Sequence, residues 1–131
     1  MTLSIPGTAR NVITVGAVEA ARPIRVGEFS SYGRTRDGRQ KPEVAAPGIK
    51  VKAAQAGTPA GTVCMDGTSM AAPHLTGATA LLLSRVTRLG QPAPTSSQIS
   101  VALCQKADNY PLWHPGQGFG VVNVAAFLAA F

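Results

Sequence analysis

Acidic residues are scarce in this chain, six against twelve lysines and arginines, which leaves a formal charge of +6. Cysteine is scarcer still: Cys64 and Cys104 are too few for a disulfide scaffold and too far apart for a metal box. Cys104 falls in an apolar helical stretch and reads as a buried free thiol, with a single bridge to Cys64 left open. No apolar run reaches the roughly 18 residues that a membrane-spanning helix needs. The longest unbroken one, Val124 to Phe131, is far shorter, so no membrane partner is expected. The first residues lack a basic stretch followed by an apolar one, so no signal peptide is read here; in a longer precursor it would lie upstream. Helix-turn-helix, zinc and aromatic-platform patterns are also missing. The basic cluster Arg34, Arg36, Arg39 and Lys41, with Asp37 among it, is therefore read as a solvated hairpin-like loop and not as a nucleic-acid surface.

What is present is enough for a core. A chain of 131 residues, 45% of them hydrophobic, has the size of one domain and too much apolar surface for disorder. Met1 to Arg10 reads as an extended loop with a turn at Pro6-Gly7. Asn11 to Val18 alternates little and is rich in valine and isoleucine, as in a strand covered on both faces of a parallel sheet. Val44 to Ala46 is a short strand stopped by Pro47-Gly48, Ile49 to Ala54 is another, and Gln55 to Val63 reads as a loop. Gly90 ends a long helix, and Thr95-Ser-Ser-Gln98 has the spacing of a capping box that opens a helix to about Lys106. Asn123 caps a last helix, Val124 to Phe131, which is apolar all round and must dock on a core or a partner.

The stretch that organises the chain is Asp66-Gly-Thr-Ser-Met-Ala-Ala-Pro-His74, followed by the apolar run Leu75 to Val86. Apolar residues at Met70, Ala71, Ala78, Leu81, Leu82 and Val86 put Ser69 in the first turn of a buried helix. That place suits a nucleophile, because unpaired N–H groups and a partial positive charge there stabilise an alkoxide or an oxyanion. Gly67 has no side chain to block a substrate backbone. Pro73 removes one backbone donor close to the helix start, where no partner for that donor is expected. On physical grounds alone a plain N-cap by Thr68 or Ser69 is the simpler reading. His74 lies five residues on, rotated off Ser69 by more than a turn, so it is no acid–base partner; His114 reads as exposed.

Three segments change the weighing. Gly67-Thr-Ser-Met-Ala-Ala-Pro-His74, continuing through Gly77 to Leu83, resembles the nucleophile-serine signature of the subtilisin-like serine proteases. Lys41-Pro-Glu-Val-Ala-Ala-Pro-Gly48 is similar to the strand and turn that precede that serine in the family. Ala9 to Val18 with Phe29-Ser-Ser-Tyr-Gly33, and the ending Gly116 to Val124, follow in family order. The resemblance implies an α/β fold, part of a mostly parallel sheet with a buried nucleophile helix and two C-terminal helices.

It also implies roles. Ser69 is the expected nucleophile, Gly67 and Thr68 flank it at the substrate, and Ser4, Ile5 and Pro6 border the pocket for the substrate side chain next to the cut bond. His74 is structural in this alignment. A weak cation site of the family lies near Gly7; Glu43 matches one of its carboxylates and Lys41 stands in place of the other. Calcium belongs to the parent domain's repertoire but has no support here, and no cofactor is required. The aspartate, histidine and oxyanion asparagine that accompany the serine have no match, since Asp37, Asp66 and Asp108 align with none of them and Met1 falls just after the place of the asparagine.

Residues 1–131 are therefore expected to be the C-terminal portion of a subtilase catalytic domain. Alone, the chain is expected to be inactive. Its expected partners are a polypeptide substrate and either the N-terminal portion of the same domain or a second copy. The alternative is a non-catalytic interaction module. The family tendency is extracellular.

Overall fold

A computed structural model of the chain describes residues 2–131. Four short strands and three helices follow one another in the order β1 (Val15–Val18), β2 (Val44–Pro47), β3 (Val51–Ala54), β4 (Thr62–Met65), α1 (Thr68–Arg88), α2 (Ser96–Gln105) and α3 (Val124–Leu128). β1 and β2 pair in parallel from Val15 opposite Val44 to Val18 opposite Pro47, and a bridge from Ala45 to Val121 extends the sheet beyond β2. β3 and β4 form a separate antiparallel hairpin. The α/β architecture expected from the sequence is thus present, with its parallel part made of the β1 and β2 pair and the parallel bridge to Val121.

α1 lies across the parallel pair and contacts both strands. Its buried residues Ala71, Leu75, Ala78, Leu82 and Val86 recur at helical spacing and meet Ala17, Val44 and Ala46 from below and Leu103 and Phe127 from the side. Leu81, expected on that face, points away and is 58% exposed. Gly90 ends the helix as read, its backbone at φ 67° and its N–H on the Thr87 carbonyl.

The capping box is realised. Thr95 accepts from the Gln98 N–H, and the Gln98 side chain accepts from the Thr95 N–H. Asn123 caps α3 by accepting from the Ala126 N–H. That helix stops at Leu128, short of the expected Phe131; Phe127 is fully buried and sits edge-on to Phe131. The expected docking on a core is what fixes it.

Several strand boundaries and one burial differ from the sequence reading. The first strand was expected from Asn11, yet β1 begins at Val15, because the Val12 carbonyl and the Thr14 N–H are bound by the side chains of Lys41 and Glu43 and not by a neighbouring strand. The loop expected to run to Val63 ends earlier, since Thr62 pairs with Ala54. Lys41, read with the solvated basic loop, is buried at 2% exposure. The rest of that loop is held at the surface by Asp37, which receives two hydrogen bonds from Arg39 and one from Thr35, while Arg34 stacks over Trp113.

Candidate active site

The turn that presents Ser69 is built on the end of the parallel sheet. Gly67 donates its N–H to the Gly48 carbonyl at 2.8 Å, and Asp66 accepts from the Lys50 N–H at 2.6 Å, so the turn is fastened to the segment between β2 and β3. Gly67 has φ 156°, a backbone geometry that residues with a side chain rarely adopt. Gly48 is needed for a different reason: a Cβ there would lie 2.6 Å from the Ala17 Cβ and 2.7 Å from the Gly67 carbonyl oxygen.

Gly67 is the N-cap of α1 and no side chain caps the helix, so neither Thr68 nor Ser69 is an N-cap. The Met70 and Ala71 N–H groups are taken by the Gly67 carbonyl. Among the described residues the Ser69 N–H and hydroxyl have no hydrogen-bond partner, and the residue is exposed. An unpaired backbone donor at a helix N-terminus, beside a free hydroxyl, is what holding an oxyanion on a serine nucleophile requires. Pro73 lies deeper in the helix than the sequence reading placed it, and its missing donor is the one that would have bonded the Ser69 carbonyl.

No base stands ready. The His74 ring donates through Nδ1 to the Met70 carbonyl of its own helix at 2.9 Å. His114, exposed as expected, accepts at Nδ1 from the Gly116 N–H and lies edge-on to Tyr32. Each aspartate is committed elsewhere: Asp37 to Arg39, Asp66 to Lys50, and Asp108 to the Val121 N–H and Arg22. Hydrogen bonds from Arg39 and then Thr35 hold the Asp37 carboxyl down at about 2. Both cysteines are free, and burial, helped by the negative charge of Glu43, pushes the half-buried Cys104 thiol up to about 11, which keeps it unreactive.

Beside the serine turn is a cavity of about 150 Å³. Ser4, Ile5, Pro6 and Thr68, four of the five residues expected at the substrate, line it together; Gly67, the fifth, stays in the turn. Ile5 forms an outer rim at 88% exposure. The wall also contains Thr14, Ser30, Ser31 and Pro42, to which the sequence reading gave no such place. The Phe29 to Gly33 segment was a legible signal for the two serines; nothing local marks Thr14. Ser30 is held by accepting from the Ala17 N–H of β1 at 3.0 Å.

A second, open groove of about 370 Å³ runs between β1 and α1, lined by Ile13, Val15, Ala72, Leu75, Leu83 and Leu103 among others. The Ala17 N–H, which donates to the Ser30 hydroxyl, and the Ala17 carbonyl, which accepts from the Gly27 N–H, face away from β2; strand alternation turns the Val15 amide the same way, and it has no partner among the described residues. Among the described residues no cluster of His, Cys, Asp and Glu is suited to a metal.

Fold and site together describe an α/β chain with a free serine at the head of a long helix beside a small pocket. A profile described as the Subtilase family matches residues 1–120, and the chain belongs to that family of subtilisin-like serine proteases. It is 39% identical over 95 residues to a subtilisin-like protease 2 of Pseudogymnoascus destructans, covering 72% of this chain and 22% of that protein. It is 31% identical over 142 residues to the serine protease AprX of Bacillus subtilis, covering 93% of this chain and 30% of that one. The solved structure of the Clostridium perfringens CspB protease superposes with a TM-score of 0.85 at 30% identity, over 98% of this chain and 28% of the protease. The chain thus spans less than a third of the length of these relatives.

Proposed function

We propose that this chain is the serine-bearing portion of a subtilisin-like serine endopeptidase and that Ser69 is its nucleophile. The observation that carries this reading is the exposed hydroxyl and unpaired N–H of Ser69 at the start of α1, next to the cavity of Ser4, Ile5, Pro6 and Thr68. Ser69 Oγ attacks the carbonyl carbon of a polypeptide and its proton passes to a histidine base. The carbonyl oxygen takes the negative charge and is held by the Ser69 N–H. Collapse expels the amine, which takes the proton from the base, and water then releases the acyl group from the serine. The reaction needs no metal and no organic cofactor. The cavity receives the substrate side chain next to the cut bond, while Gly67 lets the substrate backbone approach.

The aspartate, the histidine and the oxyanion asparagine come from the N-terminal portion of the same catalytic domain. Two features support that partner over a second copy: the apolar groove beside β1, and the outward Val15 amide, which offers a further strand a place in the parallel sheet. Without that portion the chain is inactive, since members of a triad act as a unit. The commitment of both histidines and all three aspartates away from Ser69 favours a second reading, a module that binds its partner without chemistry.

Hydrolysis of an internally quenched peptide library separates the two. The chain alone is expected to give no cleavage, and the chain mixed with the N-terminal portion of a related subtilase to give cleavage that Ser69→Ala abolishes. A complex that forms and cleaves nothing would leave the binding module as the better reading.

A further inference from the structure

The loop that walls the pocket is fastened by a buried charge. Lys41 Nζ donates to the Val12 carbonyl at 2.5 Å and to Glu43 Oε1 at 2.7 Å, with Thr14 Oγ1 at 3.4 Å. Glu43 Oε2 accepts from the Thr14 N–H at 2.7 Å, and Thr14 Oγ1 donates to the Gly7 carbonyl at 2.6 Å. One nitrogen thus stands among a carboxylate, a backbone carbonyl and a hydroxyl, the oxygen types that hard cations take. The contacts of Lys41 and Glu43 with Val12 and Thr14 join residues 27 to 29 positions apart and tie the loop from Gly7 to Thr14 onto the segment entering β2. Two residues of this assembly, Thr14 and Gly7, also line the pocket, as does Pro42 between Lys41 and Glu43.

With Lys41 in place the donor set does not fit calcium. That ion takes six to eight oxygens, usually with more than one carboxylate. Glu43 is the one acid here, and its charge is already met by a lysine at the centre of the oxygens. We propose that the Lys41 ammonium is a built-in cation: it takes the place a metal ion would fill, and it makes the pocket loop independent of metal. Lys41 is a positioning residue, acting on the pocket through Val12, Thr14 and Glu43. The inference needs no chemistry at Ser69.

The test compares the full chain with its Lys41→Ala and Lys41→Met variants by calorimetric calcium titration and by the thermal midpoint in calcium and in EDTA. The unaltered chain is expected to bind no calcium at the loop and to keep one midpoint in both solutions. Lys41→Ala leaves Glu43 unpaired and opens space for an ion together with the waters that would complete its oxygen shell, so it is expected to melt lower in EDTA and to recover in calcium. Lys41→Met fills the space without charge and is expected to melt lower in both. Calcium that raises the midpoint of the unaltered chain would overturn the proposal, as would a Lys41→Ala variant that ignores the ion or a Lys41→Met variant as stable as the parent. Should Lys41→Ala fail to fold, hydrogen exchange of the Val12 and Thr14 amides in the unaltered chain decides. Equal rates with and without calcium support the built-in cation, and slowing by calcium contradicts it.

Discussion

The two ends of α1 live under different rules. Around its C-terminal half, polar groups are matched: Arg85 donates to the Leu128 carbonyl, Asp108 holds the Val121 N–H, and Thr95 and Asn123 cap their helices. Around its N-terminal half the Ser69 N–H and hydroxyl are unmet, the Val15 amide faces outward, and the groove between β1 and α1 is apolar and open. The difference separates a region whose polar groups are met within the chain from one whose polar groups are open. Groups left open at the cost of stability are the ones that a substrate or a partner segment would use.

Substitutions on either side should separate these regimes. The largest effect is expected at the finished end: Phe127→Ala empties a fully buried site shared by α1 and α3 and should cost about 3–5 kcal/mol in urea denaturation. Gly48→Ala strikes the seat of the serine turn. With a Cβ forced against Ala17 and the Gly67 carbonyl, it should cost about 1–3 kcal/mol. It should also shift the amide resonances of Gly67 to Ser69, whereas Phe127→Ala leaves them in place. Asn123→Ala removes one cap and should cost about 1 kcal/mol, seen as faster hydrogen exchange confined to α3.

The smallest expected effect belongs to Asp37 at the surface. Its folded-state pKa of about 2 lies below the ordinary carboxyl value of 3.8, so whatever stability it adds is fully present above about 4 and is lost as the pH falls through about 2. Carboxyl-carbon NMR should show Asp37 titrating at about 2, and Arg39→Gln should bring it back towards 3.8.

The sequence disclosed what depends on neighbours in the chain. Gly67 to Ser69 at the head of α1, the Thr95 and Gln98 pair and the Asn123 cap follow from local hydrogen bonds and could be read in order. The resemblance reached further than local bonds, since it named Ser4, Ile5, Pro6 and Thr68 together, and these four line one cavity. What stayed hidden depends on distant contacts. Lys41 looked like one more cation of an arginine-rich loop because Val12, Thr14 and their bonds to it lie 27 and 29 residues away. Thr62 and Val63 of β4 were read as loop because the pairing with β3 defines that strand more than its own composition does. Leu81 fitted the apolar pattern of α1 and faces outward all the same; periodicity cannot tell a buried apolar residue from an exposed one.

The central claim is that Ser69 is a nucleophile lacking only groups that another segment supplies. Its most direct test is labelling with a fluorophosphonate probe, read by intact mass, with the chain alone, with the N-terminal portion of a related subtilase added, and with Ser69→Ala in each case. The account predicts no adduct on the chain alone and one adduct per chain in the mixture, absent in Ser69→Ala. An adduct on the chain alone would mean that a base already stands beside Ser69, and a mixture that assembles without labelling would mean that the serine is not a nucleophile.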